Sequence, residues 1–193
     1  MKRKIDPKLE ENFLFNIIVP VFNAEKYIEK CLNSIVKQSY KRFQVQVVDD
    51  CSSDSSYEIA SSICQANKNF KIFRNNRRIG ALHNIFNLLN KKIEKPSKTI
   101  DLIIDGDDYL YSSDVLNIVE EKYMQTNCLI TYGSHISSKG VKGKKYPLLI
   151  RKFNLFRKYF WYASHLKTFR HDLWLSLNPV SYTHLRAHET IDD

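Results

Sequence analysis

The feature that most constrains this chain is a fourfold alternation of short apolar runs with helical stretches. Asn16 to Val21 (NIIVPV) is a nearly continuous apolar run, and Phe43 to Val48, Phe70 to Phe73 and Ile100 to Ile104 are each largely apolar. Runs of that length suit strands buried on both faces, as in a parallel sheet covered by helices. Between them, residues recur at helical spacing: Ala24, Tyr27, Ile28, Cys31, Leu32, Ile35 and Val36 on one face, then Ala60, Ile63 and Cys64, then Leu82, Ile85, Phe86 and Leu89. The connections are short enough for right-handed crossovers, so the expected fold is α/β, a mostly parallel open sheet with helices on both faces.

Local signals place the boundaries. Asn23 reads as the N-cap of the first helix with Glu25 in its first turn, and Ser55-x-x-Glu58 as a capping box for the second. Pro20 cannot donate to a ladder, so it marks a strand end. Ser112 or Ser113 is the expected cap of a fourth helix burying Val115, Leu116, Val119 and Tyr123, followed by a fifth strand at Cys128 to Tyr132. Beyond Tyr132 the alternation stops. Ser137 to Tyr146 is glycine- and lysine-rich and reads as a loop, and Leu166 to Leu177 as a helix with Leu166, Phe169, Leu173, Trp174 and Leu177 on one side. The organisation is therefore an α/β domain over 1–135, a partial region over 136–178 and a tail over 179–193.

Ligands of such sheets bind outside the carboxyl ends of the strands. Here those ends carry Pro20 to Asn23, Asp49 and Asp50, a basic turn from Asn75 to Arg78, and the Asp105-Gly106-Asp107-Asp108 turn. Carboxylates so close repel one another unless a cation sits among them. A hard divalent ion, Mg²⁺ or Mn²⁺, takes oxygen ligands and leaves positions open for phosphate. The plainer reading of the acids alone is a solvated loop after a strand; four pointed loops on one rim weigh against it. Asp50 can accept from a base edge, and Arg77 or Arg78 can meet phosphate or base.

Composition narrows the classes. The formal charge is +9, and from Ile136 to Asn178 ten Lys/Arg stand against one acid, Asp172. The first 135 residues are nearly balanced, which a general polyanion binder does not require. The start has no apolar segment of a signal peptide, and no apolar run approaches a membrane span. Cys31, Cys51, Cys64 and Cys128 show no C-x-x-C pairing, which fits reduced thiols; the expected location is cytoplasmic, at most at the inner membrane face. Val180 to Thr190 (VSYTHLRAHET) resembles translated sequencing-adapter sequence, so the natural chain is expected to diverge near Asn178 or Pro179, and the zinc-like His184/His188 pair carries no weight.

Neither G-x-G-x-x-G after the first strand nor G-x-x-x-x-G-K-[ST] is present, so phosphates would be handled through the aspartates. The four segments VPVFNAEKYIEKCLNSIVKQSY, VVDDCSSDSS, NRRIGALHNIFN and IIDGDDYLY, in that order, resemble the nucleotide-sugar domain of family 2 glycosyltransferases of the GT-A fold, over roughly Asn16 to Tyr132. The stretch SHLKTFRHDLW resembles the acceptor-side region of some members. The resemblance implies sugar transfer from a nucleoside diphosphate donor, often UDP-linked, to a glycan, lipid-linked or protein acceptor with a divalent metal, and inversion at the sugar. It implies that Pro20, Val21, Phe22 and Asn23 line the base pocket with Glu25 beside them, that Asp50 reads the uracil edge, and that Asp107 lies near the ribose. Asp105, Asp107 and Asp108 would form the metal-binding D-x-D region, with Asp108 the principal ligand. Gly80, His83 and Asn84 fall where the sugar-side loop begins, with His83-Asn84 in place of the common Arg-Asn.

An acceptor hydroxyl must lose its proton to a base. In the resembled family the base lies well beyond the D-x-D motif; here it is expected beyond Asn178, leaving the activity of this chain in doubt. Asp172 reads as structural, and His165 and His171 as packed rather than metal-bound. The rivals are a nucleotidyltransferase, which wants a glycine-rich loop after strand one, and a non-catalytic basic module. No nucleic-acid signature appears, whereas aromatics interleaved with Lys/Arg over Phe153 to Tyr162 suit peripheral membrane contact.

Overall fold

The computed structural model describes residues 12–137, 139–143 and 166–177. Its strands are β1 (Leu14–Val21), β2 (Phe43–Asp49), β3 (Phe70–Arg74), β4 (Thr99–Ile103), β5 (Ile130–Tyr132) and β6 (Lys167–Arg170). They form one sheet in the order β3-β2-β1-β4-β6-β5. The first four run parallel, and β6 lies antiparallel to both β4 and β5. The helices are α1 (Ile28–Val36), α2 (Ser56–Gln65), α3 (Ala81–Leu89), α4 (Val115–Thr126) and α5 (His171–Ser176), with a 3₁₀ turn at Pro96–Lys98.

Side chains alternate across a strand, so β1 feeds two cores. Phe15, Ile17, Val19 and Val21 face the larger one, closed by Ile28, Cys31, Leu32 and Ile35 of α1, Ala60 and Cys64 of α2, and Leu116 and Tyr123 of α4. Ile18 points the other way, into a smaller cluster with Val48, Leu88 and Leu89 that Phe169 and Trp174 help cover. Helices on both faces of a mostly parallel sheet are the architecture that the largely apolar runs and the helical spacing between them predict. Pro20 sits inside β1, opposite Val48, but past Ile18, the last residue paired with β4. Its missing N–H thus leaves no ladder bond unmade on that side.

One buried row is polar. Asn16 Nδ2 donates to Asp101 Oδ1 at 2.7 Å, while Asn16 Oδ1 accepts from Gln46 and Gln44 at 2.8 and 3.1 Å. His171 Nδ1 lies 2.7 Å from Asp101 Oδ2. Buried polar groups must be paired, and this row links β2, β1, β4 and α5 by doing so. It leaves His171 1% exposed, so His171 is a packed residue of the sheet and not a metal ligand. Asp172 pairs with Arg170, a structural role.

Several boundaries differ from the sequence reading. Leu166 to Leu177 is a strand followed by a short helix, because the Lys-Thr-Phe-Arg segment alternates: Thr168 is fully buried opposite Leu102, and its hydroxyl meets those of Tyr123 and Thr131 at 2.9 and 2.6 Å. α1 starts at Ile28 rather than after Asn23; Asn23 takes φ 48° and caps nothing. Ser55 makes no side-chain cap either; Asp54 Oδ1 accepts the Ser56 N–H at 3.0 Å instead. Neither Ser112 nor Ser113 caps α4, whose N-cap is Asp114, and β5 is trimmed to three residues. On α3, Leu82 is exposed and Ile85 and Phe86 half-buried, because that helix side borders a cleft rather than the core. The aromatic run Phe153–Tyr162, His165, and the tail with His184 and His188 lie outside the described residues.

All four cysteines are free; Cys31 and Cys64 are buried, and burial pushes the Cys64 thiol up to about 11. Native alkylation is expected at Cys51 and Cys128 first, with Cys31 and Cys64 labelled only on unfolding, as mass spectrometry would show. Leu102→Ala, which empties space in the larger core, should lower stability in urea unfolding by about 2–5 kcal/mol.

Candidate functional site

The carboxyl ends of β1, β2 and β4 meet through backbone bonds. The Ile104 and Gly106 N–H groups donate to Ile18 O and Pro20 O at 3.1 and 3.2 Å, and Asp50 N donates to Val21 O at 2.8 Å. Gly106 suits the close approach: a Cβ there would lie 3.2 Å from Pro20 O and 3.3 Å from Val21 Cγ2, tight enough that the neighbours would have to give. The acidic turn is thereby held against the end of β1, with Asp108 N closing it onto Asp105 O at 2.9 Å.

The loops after β1 and β2 clasp each other. The N–H groups of Asn23, Ala24 and Glu25 donate to Ser52 Oγ, Ser56 Oγ and Asp54 Oδ2 at 3.0, 2.7 and 3.1 Å. In return Ser53 N donates to Asn23 Oδ1 at 2.9 Å and Ser55 N to Glu25 Oε2 at 3.2 Å. Asn23 and Cys51 adopt positive φ of 48° and 65°, where asparagine is tolerated and cysteine is uncommon. Each exchanged bond satisfies a loop N–H that helix geometry leaves open, so the clasp fixes where Phe22 projects.

Asp50 is 3% exposed, and its carboxylate is occupied. Oδ1 accepts Asn75 Nδ2 at 2.8 Å and the Ile79 N–H at 2.9 Å, and Oδ2 accepts the Gly80 N–H at 2.8 Å. Burial pushes this carboxyl up, but the Ile79, Asn75 and Gly80 donors outweigh it and hold it below the ordinary range. Asn75 also donates to Asn84 Oδ1 at 2.7 Å, which ties α3 into the same network. The loop so anchored carries Arg78, whose guanidinium sits 4.0 Å from the centroid of the Phe22 ring.

Two cavities result. The smaller, of about 190 Å³, is walled by Pro20, Val21, Phe22 and Ala24 on one side, Asp50, Arg78 and Ala81 on another, and Asp105, Gly106 and Asp107. The larger cleft, of about 1850 Å³, is bordered by Gly80, His83, Phe86, Asp108, Tyr109, His135, Phe169 and Trp174 among others. Arg78 and Asp105 line both. The expected site residues therefore divide. Pro20, Val21, Phe22, Asp50, Arg78, Asp105 and Asp107 share the small pocket, while Gly80, His83 and Asp108 face the cleft. Asn23 and Glu25 belong to the clasp, Asn84 is 2% exposed behind Asp50, and Arg77 lines neither cavity. Asn75, which orients Asp50, had no signal in the sequence beyond its place at a strand end.

The three aspartates do not form a closed cage, and among the described residues no group of three or more His, Cys, Asp or Glu converges as one. Asp105 and Asp107 line the small pocket, and Asp105 and Asp108 both border the cleft. Such an open pair of hard oxygen donors fits Mg²⁺ or Mn²⁺, which keep positions for water and phosphate. Beneath the turn, Cys31 Sγ lies 3.7 Å from Asp105 O, and burial followed by the charges of Asp108, Asp107 and Asp105 pushes its thiol up.

The profile described as "Glycosyl transferase family 2" matches residues 16–183. The chain belongs to this family. Among curated proteins it is similar to the poly(ribitol-phosphate) beta-N-acetylglucosaminyltransferase TarS of Staphylococcus aureus (strain Mu50 / ATCC 700699), 33% identical over 139 residues, covering 69% of this chain and 22% of TarS. It is also similar to the glycosyltransferase GlyA of Streptococcus pneumoniae serotype 4 (strain ATCC BAA-334 / TIGR4), at 29% identity over 67% of this chain and 18% of GlyA. The chain thus spans about a fifth of the length of these relatives. The crystal structure of S. aureus TarS 1-349 in complex with UDP aligns with a TM-score of 0.63 at 26% identity, over 84% of this chain and 48% of that one. The mannosyltransferase PcManGT from Pyrobaculum calidifontis, solved with GDP-Man and Mn2+, shares the fold at a TM-score of 0.63 and 18% identity, over 88% of this chain and 48% of that one. The GT-A fold of this family 2 chain is established by these matches.

Asp50→Asn should release part of the 75–80 loop and lower stability by about 1–3 kcal/mol at neutral pH in urea unfolding. Because the folded carboxyl lies below its ordinary 3.8, the contribution is full above that value and fades as pH falls through the folded one. The gap between wild type and Asp50→Asn should therefore narrow on acidification below about 3.8.

Proposed function

We propose that this family 2 chain moves a sugar from a nucleoside diphosphate donor, UDP-linked, to an acceptor hydroxyl with inversion. The supporting observation is the wall common to the two cavities. A base seated between Phe22, Pro20 and Asp50 would send its diphosphate past Arg78 and Asp105 into the cleft, where sugar and acceptor meet. The pocket has the stacking ring and guanidinium that a pyrimidine and a phosphate require. TarS structures with UDP and with UDP-GlcNAc, at 26% and 27% identity, support the uridine reading.

In this reading Phe22 offers a stacking face, and Arg78 leaves that ring to pair with phosphate when a base arrives. Asp50 acts first by holding the Ile79 and Gly80 amides, which set the position of Arg78. Any reading of the uracil edge falls to the lone pairs left on its oxygens. Asp105 and Asp108 would hold Mn²⁺ or Mg²⁺, with Asp107 nearer the ribose. The ion, when bound, supplies positive charge as a Lewis acid to the departing diphosphate. His83 lies on the cleft side, where the transferred sugar would sit. Among the described residues the carboxylates lining the cleft are Asp105 and Asp108, so the base that takes the acceptor proton is assigned to residues beyond Asn178. The acceptor is a glycan, a lipid-linked or protein hydroxyl, or a polyol phosphate of the kind named for TarS; the reaction is placed in the cytoplasm, where nucleotide sugars are used.

Isothermal calorimetry of UDP with Mn²⁺ tests this. Asp108→Ala should cut Mn²⁺-dependent UDP affinity at least about tenfold while thermal unfolding stays near wild type, as loss of one ionic ligand to a bound metal implies. UDP affinity unchanged in that variant, or equal with and without Mn²⁺, contradicts the assignment.

A further inference from the structure

The near balance of charge over the first 135 residues conceals a separation along the strands. The parallel topology sends every helix-to-strand connection to the amino edge of the sheet, opposite the donor pocket. The α1–β2 connection carries Lys37, Lys41 and Arg42, the α2–β3 connection Lys68, and the α3–β4 connection Lys91, Lys92, Lys95 and Lys98. Glu94 is the one acid within these connections. Lys71, on edge strand β3, adds to the group. At the other edge the clasp and the acidic turn carry Glu25, Asp54, Asp105, Asp107 and Asp108. Glu120 on α4, bonded to Tyr40, moderates Arg42, so the excess is greatest on the side of β3 and α3.

Lys68, Lys71 and Lys92 are exposed, and among the described residues their side chains make no hydrogen bond or ion pair. Lys91 lies over the Phe73 ring at 3.6 Å from its centroid, and burial followed by repulsion from Lys71 lowers its ammonium below the ordinary lysine value. Like charges this close cost stability unless an anion relieves them.

We propose that this amino-edge lysine surface is a docking site for an anionic phospholipid membrane. Lysine, a hydrated point charge, outnumbers arginine there, which suits a diffuse field of headgroups more than bidentate contacts to single phosphates. No large exposed aromatic stands on these connections to stack nucleobases, and among the described residues no helix projects from the edge to enter a groove. Docking at the amino edge leaves the carboxyl edge, with its donor pocket and cleft, open to solvent. The proposal names residues other than the aromatic-basic stretch over Phe153 to Tyr162 and stands independently of the transferase reading.

The test is co-sedimentation of the full 193-residue chain with phosphatidylcholine vesicles containing phosphatidylglycerol. Binding is expected at low salt, absent on pure phosphatidylcholine, and abolished near 1 M salt, where screening extends to about 3 Å. The triple variant Lys68→Glu/Lys71→Glu/Lys92→Glu, folded by circular dichroism, should lose at least about tenfold in vesicle affinity, since each surface cation adds its own increment. The matched variant Lys139→Glu/Lys142→Glu, outside the edge, should lose much less. Equal loss in both variants, no loss in the triple variant, or tighter binding to duplex DNA than to the vesicles at the same salt overturns the proposal. Calorimetric UDP binding by the triple variant separates this result from the donor-site reading, because the two surfaces are at opposite ends of the strands.

Discussion

Everything in the site depends on how β1 is gripped on both sides. Seven residue pairs join it to β2 and five to β4, all parallel, and its apolar side chains enter cores on either face. A fully buried Ile, Val or Phe contributes about 1.5–3 kcal/mol each, and a slip of one residue would turn every one of them to the wrong face. The register is therefore stiff, and it alone decides that Val21 ends opposite Asp49 while β4 ends earlier, at Ile103 opposite Ile18. The pocket is what three strand ends leave between them when their loops turn away.

The loops then add their own locks. Gly106 lets the acidic turn press on Pro20, the clasp between the first two loops aims Phe22, and Asp50 gathers the amides ahead of α3. Each lock uses groups that a strand or helix end leaves unpaired, so the site is built from the unfinished hydrogen bonding of the fold. A consequence is that residues near a ligand divide into those facing it and those holding the others in place. Asn23, Glu25 and Asn84 are of the second kind.

The parallel half was legible because largely apolar runs and helical spacing are global properties, insensitive to a misplaced end. The caps were not. Asn23 and Ser55 have the chemistry of N-caps, but each spends its polar groups on a partner about thirty positions away or on none, which no local pattern reveals. The segment from Leu166 was misread for a related reason: Leu166, Phe169 and Leu173 share a spacing that suits a helix, yet Thr168 among them is buried by β4. The site residues were legible by type and by topology, since strand ends are where such a sheet binds. Which of them share a cavity was settled only by the turn that sends Asp107 to one side and Asp108 to the other. The lysine edge was hidden by counting charge along the chain rather than by strand end.

The central claim is that the ends of β1, β2 and β4 form one nucleotide pocket. Its most direct measurement is an amide chemical-shift titration of the labelled chain with UDP and Mg²⁺, read residue by residue. The account predicts that the largest shifts fall on Phe22, Asp50, Ile79, Gly80 and Gly106, with the amino edge near Lys68 unmoved. Shifts confined to any other surface, or saturating shifts that spare Phe22 and Gly80, would contradict it.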